Sequence, residues 1–120
     1  MKYVLLFYAT PESTAEFDAL PPDAQARRFN TVMDWLREHQ SCIVEASRLE
    51  PPERAVQVRF GGPDEAPLVT DGPFIEGKES VGGFVSVEVA DRAAAVALAS
   101  TWPGLGVVEV RPAIERRPMR

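Results

Sequence analysis

The stretch Gly83–Ser100, "GFVSVEVADRAAAVALAS", decides how this chain folds. Its first half alternates. Val85, Val87 and Val89 fall on one side of an extended chain, with Phe84, Ser86 and Glu88 on the other. Asp91 breaks the alternation at a position suited to a helix N-cap, and the alanine-rich run Arg92–Ser100 has high helix propensity. Trp102, Pro103 and Gly104 then end the helix. Gly106–Pro112, "GVVEVRP", reads as another strand. The C-terminal third is therefore a β-α-β unit.

The N-terminal third repeats that order. Lys2–Tyr8 is almost continuously apolar, which predicts a central strand covered on both faces. It is too short for a secretory signal peptide and lacks a small-residue cleavage site; Thr10 and Pro11 end it. Residues 10–22, "TPESTAEFDALPP", hold turn formers and room for one helical turn. Asp23–Gln40 predicts a helix. Phe29, Val32, Met33 and Leu36 share the i, i+3, i+4, i+7 spacing of a buried stripe. Asp23 near the start and Arg37 and His39 near the end suit the helix dipole. Cys42–Leu49, "CIVEASRL", predicts a second strand, closed by Pro51 and Pro52.

Between the two units lies an insertion. Ala55–Phe60, "AVQVRF", alternates with Val56, Val58 and Phe60 on one face, and "PLV" at 67–69 can pair back to it across "GGPDEA". Without this hairpin the order is βαββαβ, the ferredoxin-like split motif, with both helices on one face of an antiparallel sheet. The other sheet face then carries a mixture of apolar and polar residues. Such a face is usually covered by a partner subunit, so a homodimer with a polar-lined pocket is expected. All 120 residues read as one domain.

Composition narrows the function. The chain is 45% hydrophobic and 26% charged with a net charge of −5, a globular and acidic balance. No Lys/Arg stripe supports direct nucleic-acid binding or a membrane surface, and no window is long enough to span a bilayer. Cys42 is the only cysteine, so neither an internal disulfide nor a cysteine zinc site is expected. A cytoplasmic location follows by default.

The densest turn chemistry lies in "VTDGPFIEGKESVGGF", Val69–Phe84. Asp71 can accept from backbone N–H groups ahead of it, Gly72 supplies conformational freedom, Pro73 restricts Gly72 and fixes its own φ, and Phe74 can anchor the corner. Asp71 is then either a turn-forming acceptor or a carboxylate fixed at a pocket mouth, and as such the candidate catalytic residue. A carboxylate bonded to several N–H groups makes a poor base. Glu76, Lys78 and Glu79 are candidate ligand-binding residues, and equally read as a solvated turn. With Asp71 they fit no calcium-loop or zinc spacing, and no metal or other cofactor is expected. Gly82 and Gly83 suggest a bulge or a close backbone approach. Tyr8 and Arg48, together with Tyr3 and Arg59, can face a pocket depending on strand register. His39 reads as a cation at a helix C-terminus; Ser13, Ser80 and Cys42 match no nucleophile motif; Trp35 and Trp102 read as packing residues.

"YVLLFYA" at the start, "LVTDGPFIEGKESVGGFVSVEVAD" in the middle and "VEVRP" at the end resemble the DGPF-domain proteins of the YCII-related group. The resemblance spans nearly the whole chain. It implies a ferredoxin-like subunit that pairs into a dimeric α/β barrel, in a family of small bacterial proteins whose genes often lie beside those of sigma factors. It implies a choice between two functions. One is a dimeric small-ligand-binding or regulatory module linked to sigma-factor regulation. The other is a small-molecule enzyme, of lyase, isomerase or hydrolase type, with Asp71 doing acid–base chemistry in an inter-subunit cavity and Lys78 or an arginine steadying the anion. Enzymes of the group are associated with a His-Asp pair whose histidine lies near the start of the first long helix. This chain reads "PPDAQARRFN" there, and that pair does not carry over.

Overall fold

The computed structural model describes residues 1–71 and 80–115. The chain runs β1 (Lys2–Ala9), α1 (Pro11–Asp18), α2 (Pro22–Glu38), β2 (Ile43–Arg48), a 3-10 turn at Pro52–Arg54, β3 (Val56–Arg59), β4 (Leu68–Asp71), β5 (Ser80–Glu88), α3 (Arg92–Ala99) and β6 (Val107–Pro112). β2, β5, β1 and β6 form a four-stranded sheet in that spatial order, with every neighbouring pair antiparallel. With the β3–β4 hairpin set aside, this is the expected split βαββαβ order. β3 and β4 form a separate two-stranded sheet, Val58 opposite Val69 and Val56 opposite Asp71.

The buried core is small: Tyr3 and Leu5 of β1, Val85 and Val87 of β5, Trp35 of α2 and Ala95 of α3. α2 and α3 thus cover the same sheet face, the one carrying the valines of β5. Asp91 caps α3 as expected, its carboxylate accepting from the Ala94 N–H at 2.9 Å. The opposite face carries Val4 and Leu6 of β1 and Phe84 of β5, all half-buried, next to exposed Val107 of β6.

Two local expectations change. Residues 11–18 form a full helix rather than a single turn. A capping box starts it: Ser13 N–H donates to the Thr10 hydroxyl at 3.0 Å, and Thr10 N–H donates to the Ser13 hydroxyl at 2.8 Å. At its far end, the Gln25 side-chain amide donates to the Phe17 and Leu20 carbonyls. On α2, Phe29, Val32, Met33 and Leu36 do share a face, but that face is not buried. Phe29 is 45% and Met33 39% exposed; the buried residue of α2 is Trp35, at 4%. All four line an open cavity, and Leu36, half-buried, also packs against the core.

Pleat and bulge fix what the cavity meets at its floor. The β1–β5 register slips between Phe7 and Tyr8, leaving Gly82 as the extra residue, so the two glycines do mark a bulge. Gly83 lies hard against β2: a Cβ there would stand 2.7 Å from the Ser47 carbonyl oxygen. Absence of side chains at this point keeps the floor of the cavity low.

Candidate functional site

A cavity of about 580 Å³ opens between the sheet and the α1–α2 layer. That volume is in the range of small-molecule sites. Its lining follows from the elements around it. β1 contributes Phe7 and Tyr8, β5 contributes Gly82–Val85, and β2 contributes Ala46, Ser47 and Arg48. α1 closes one side with Phe17, and α2 supplies its unburied stripe together with Arg28. Trp102, just past α3, stacks on Phe7 with ring centroids 4.1 Å apart. A second contact fixes the indole: Trp102 meets Trp35 edge-on at 5.1 Å. The wall is therefore largely aromatic and aliphatic, with ring planes already held by neighbours.

Polar groups are few. The lining residues with polar side chains are Tyr8, Ser13, Thr14, Ser47, Arg28 and Arg48; of these, Tyr8 and Ser47 pair with Val107 and Phe84, so their side chains project to the other sheet face. Ser13 Oγ is already engaged, donating to the Thr10 carbonyl at 3.1 Å. Arg48 lies over the ring of Phe29, 5.4 Å from guanidinium carbon to centroid. Such a contact contributes about 0.5–1 kcal/mol at an exposed site and, more usefully, holds the fork in one place.

The candidate residues from the sequence divide accordingly. Tyr8 and Arg48 are both among the residues that line the cavity. Asp71 ends β4 opposite Val56, is exposed, and is not part of the lining. Glu76, Lys78, Glu79 and the corner Gly72-Pro73-Phe74 lie outside the described residues. Tyr3 is buried in the core, and Arg59 is on the exposed hairpin. His39 is the C-cap residue of α2, its Nδ1 2.9 Å from the Trp35 carbonyl and its ring 4.7 Å from that indole. Cys42 lies just before β2 rather than on it, half-buried, with its thiol donating to the His39 carbonyl. Arg28 escaped the sequence reading. Its spacing to Val32 was the available clue, since i and i+4 share a helix face. The cavity of the single chain lies on the helix face, because α2 is anchored by Trp35 while Phe29 and Met33 stay exposed; the pocket expected on the second sheet face is one that a partner subunit would close.

Among the described residues no group of three His, Cys, Asp or Glu is placed to hold a metal ion, and no helix is long and apolar enough to cross a membrane. The α+β sheet order and this helix-side cavity describe a small-molecule-sized α+β domain. The chain belongs to the YCII-related domain family, whose model matches residues 1–117. Among solved structures it is similar to 5-chloro-2-hydroxyhydroquinone dehydrochlorinase from Burkholderia phenoliruptrix, determined in complex with 2,5-dihydroxybenzoquinone. The two share 11% identity and a TM-score of 0.55, over 97% of this chain and 96% of that one, a likeness of fold. No curated protein matches the chain in sequence.

Proposed function

We propose that this YCII-related protein is a small-ligand-binding or regulatory module that acts as a homodimer, with the cavity between the sheet and α1–α2 as its ligand site. One observation carries the reading. The cavity is a preformed, aromatic-walled space of about 580 Å³ whose described lining contains no aspartate, glutamate or histidine. Such a wall suits binding better than proton transfer, which needs a positioned acid or base. The homodimer, and with it a dimeric α/β barrel, is supported by the half-apolar second sheet face formed by Val4, Leu6, Phe84 and Val107. No feature of the described residues favours a sigma-factor partner. Titration with a library of small aromatic fragments, followed at the Trp102 indole N–H and the Met33 methyl, tests the site. Shifts should cluster on the cavity wall; a library with no hit there overturns the binding reading.

A second reading, a small-molecule enzyme, is favoured by the shared fold with a dehydrochlorinase. Asp71 does not line its own chain's cavity, so it would act only where a partner subunit brings it to a shared one. Chloride release from 5-chloro-2-hydroxyhydroquinone, lost in Asp71→Asn at unchanged melting temperature, would support this reading. Absence of turnover in the dimeric wild type would end it for that substrate.

A further inference from the structure

The wall of the cavity is charged against the character of the chain. Acidic residues outnumber basic ones 18 to 13 overall, yet among the described residues the lining holds Arg28 and Arg48 and no carboxylate. Three other arginines are engaged, Arg27 with Asp23, Arg37 with Asp34, and Arg111 with Glu109, while Arg54, Arg59 and Arg92 lie away from the cavity. Among the described residues neither Arg28 nor Arg48 has an acidic partner within salt-bridge distance. Two cations beside an apolar, partly enclosed space give a local positive potential, and low-dielectric walls strengthen its pull on an anion.

Geometry sets which anion. Arg48 is the last residue of β2, paired across the sheet with Gly83, and its guanidinium is stacked on Phe29. A stacked guanidinium keeps its N–H edges free and directed, which is the arrangement that meets a carboxylate with two parallel hydrogen bonds. Beyond it the wall continues as Phe7 and Trp102, with Leu36 of α2 across the space. Flat apolar matter fills such a slot better than a hydrated or strongly polar body.

We propose that the cavity selects an aromatic carboxylate, with Arg48 as the anion anchor, Phe29 as the residue that positions it, and the Phe7–Trp102 stack receiving the ring. The proposal rests on the ligand-binding reading above and narrows it to a chemical class.

The test uses 2-naphthoate and 2-naphthamide, the same ring system with and without the charge, titrated calorimetrically into the full-length protein. In the wild type the carboxylate should bind about tenfold tighter than the amide, the scale of a charge-assisted hydrogen-bond pair. Arg48→Gln should bring the two affinities together, chiefly by weakening the carboxylate, with an unchanged melting temperature showing that the fold is intact. Arg48→Lys should keep part of the preference. Arg59→Gln removes the same charge on the hairpin, outside the cavity, and should keep all of it. Equal binding of the two probes by the wild type overturns the carboxylate proposal while leaving the ligand-binding reading standing. So does an equal loss of preference in Arg59→Gln and Arg48→Gln, since net charge alone would then explain it. No binding of either probe at millimolar concentration overturns the proposal and weighs against the cavity as a site for aromatic ligands.

Discussion

The indole nitrogen of Trp35 donates to the hydroxyl of Thr101 at 2.9 Å and so ties α2 to the turn that follows α3. Trp35 is also the buried residue of α2, wedged between Trp102 and the imidazole of His39. The attachment of α2 is thus concentrated near one turn of the helix. Trp35→Ala should destabilise the fold by about 3–5 kcal/mol, as expected for deleting a large buried aromatic. Thr101→Val should cost only about 1 kcal/mol, because exposed Thr101 leaves room for water to take over the bond. Urea unfolding monitored by circular dichroism measures both. A similar cost for the two would mean that the hydrogen bond, not the packing, holds α2.

Three glycines should respond in a fixed order. Gly82→Ala meets its nearest neighbour, the Phe7 carbonyl oxygen, at 3.7 Å and should be tolerated within about 1 kcal/mol. Gly83→Ala presses on the Ser47 backbone at 2.7 Å and should cost about 1–3 kcal/mol by pushing β2 from β5. Gly106 has a φ of 92°, and a Cβ there would collide with the Tyr8 carbonyl oxygen, so Gly106→Ala should be the most damaging. Melting temperatures should fall in that sequence. A Gly83→Ala protein as stable as Gly82→Ala would show that β2 yields easily, and that the cavity floor is less fixed than its geometry suggests.

Light scattering across a dilution series should return twice the 13.2 kDa chain mass. Two surfaces motivate this: the apolar patch of Val4, Leu6, Phe84 and Val107, and the hairpin, where Phe60 is 78% exposed with Val58 and Val69 also bare. A lone two-stranded hairpin is marginal in water, so this one needs cover. Leu6→Lys, in the middle of the sheet patch, should shift the mass toward monomer. A wild-type protein that is monomeric at micromolar concentration would remove the dimer and any cavity shared across it.

Much of the fold was legible because strand signals are local. The alternation of Val85 and Val87, the Asp91 cap and the apolar run of β1 each name an element and its buried face. The Phe29–Leu36 stripe shows the limit of the method. Helical spacing tells which side chains share a face, but not whether that face meets a sheet or a void. α1 was under-read for a different reason. It has little apolar periodicity, and its evidence lay in Thr10 as N-cap with Pro11 at the first helical position. The site was half legible. Tyr8 and Arg48 were named with the strand register left open, while Arg28 depended on knowing that α2 presents its stripe to open space.

That unburied stripe has a consequence for how the protein can change over time. Because α2 is held by Trp35, residues such as Phe29 and Met33 shape the binding space without supporting the scaffold. Exchanging them among apolar side chains should alter the contour offered to a ligand while leaving folding free energy nearly untouched. Selectivity can then drift under selection without threatening foldedness, an arrangement in which a single small domain could be retuned for many related compounds.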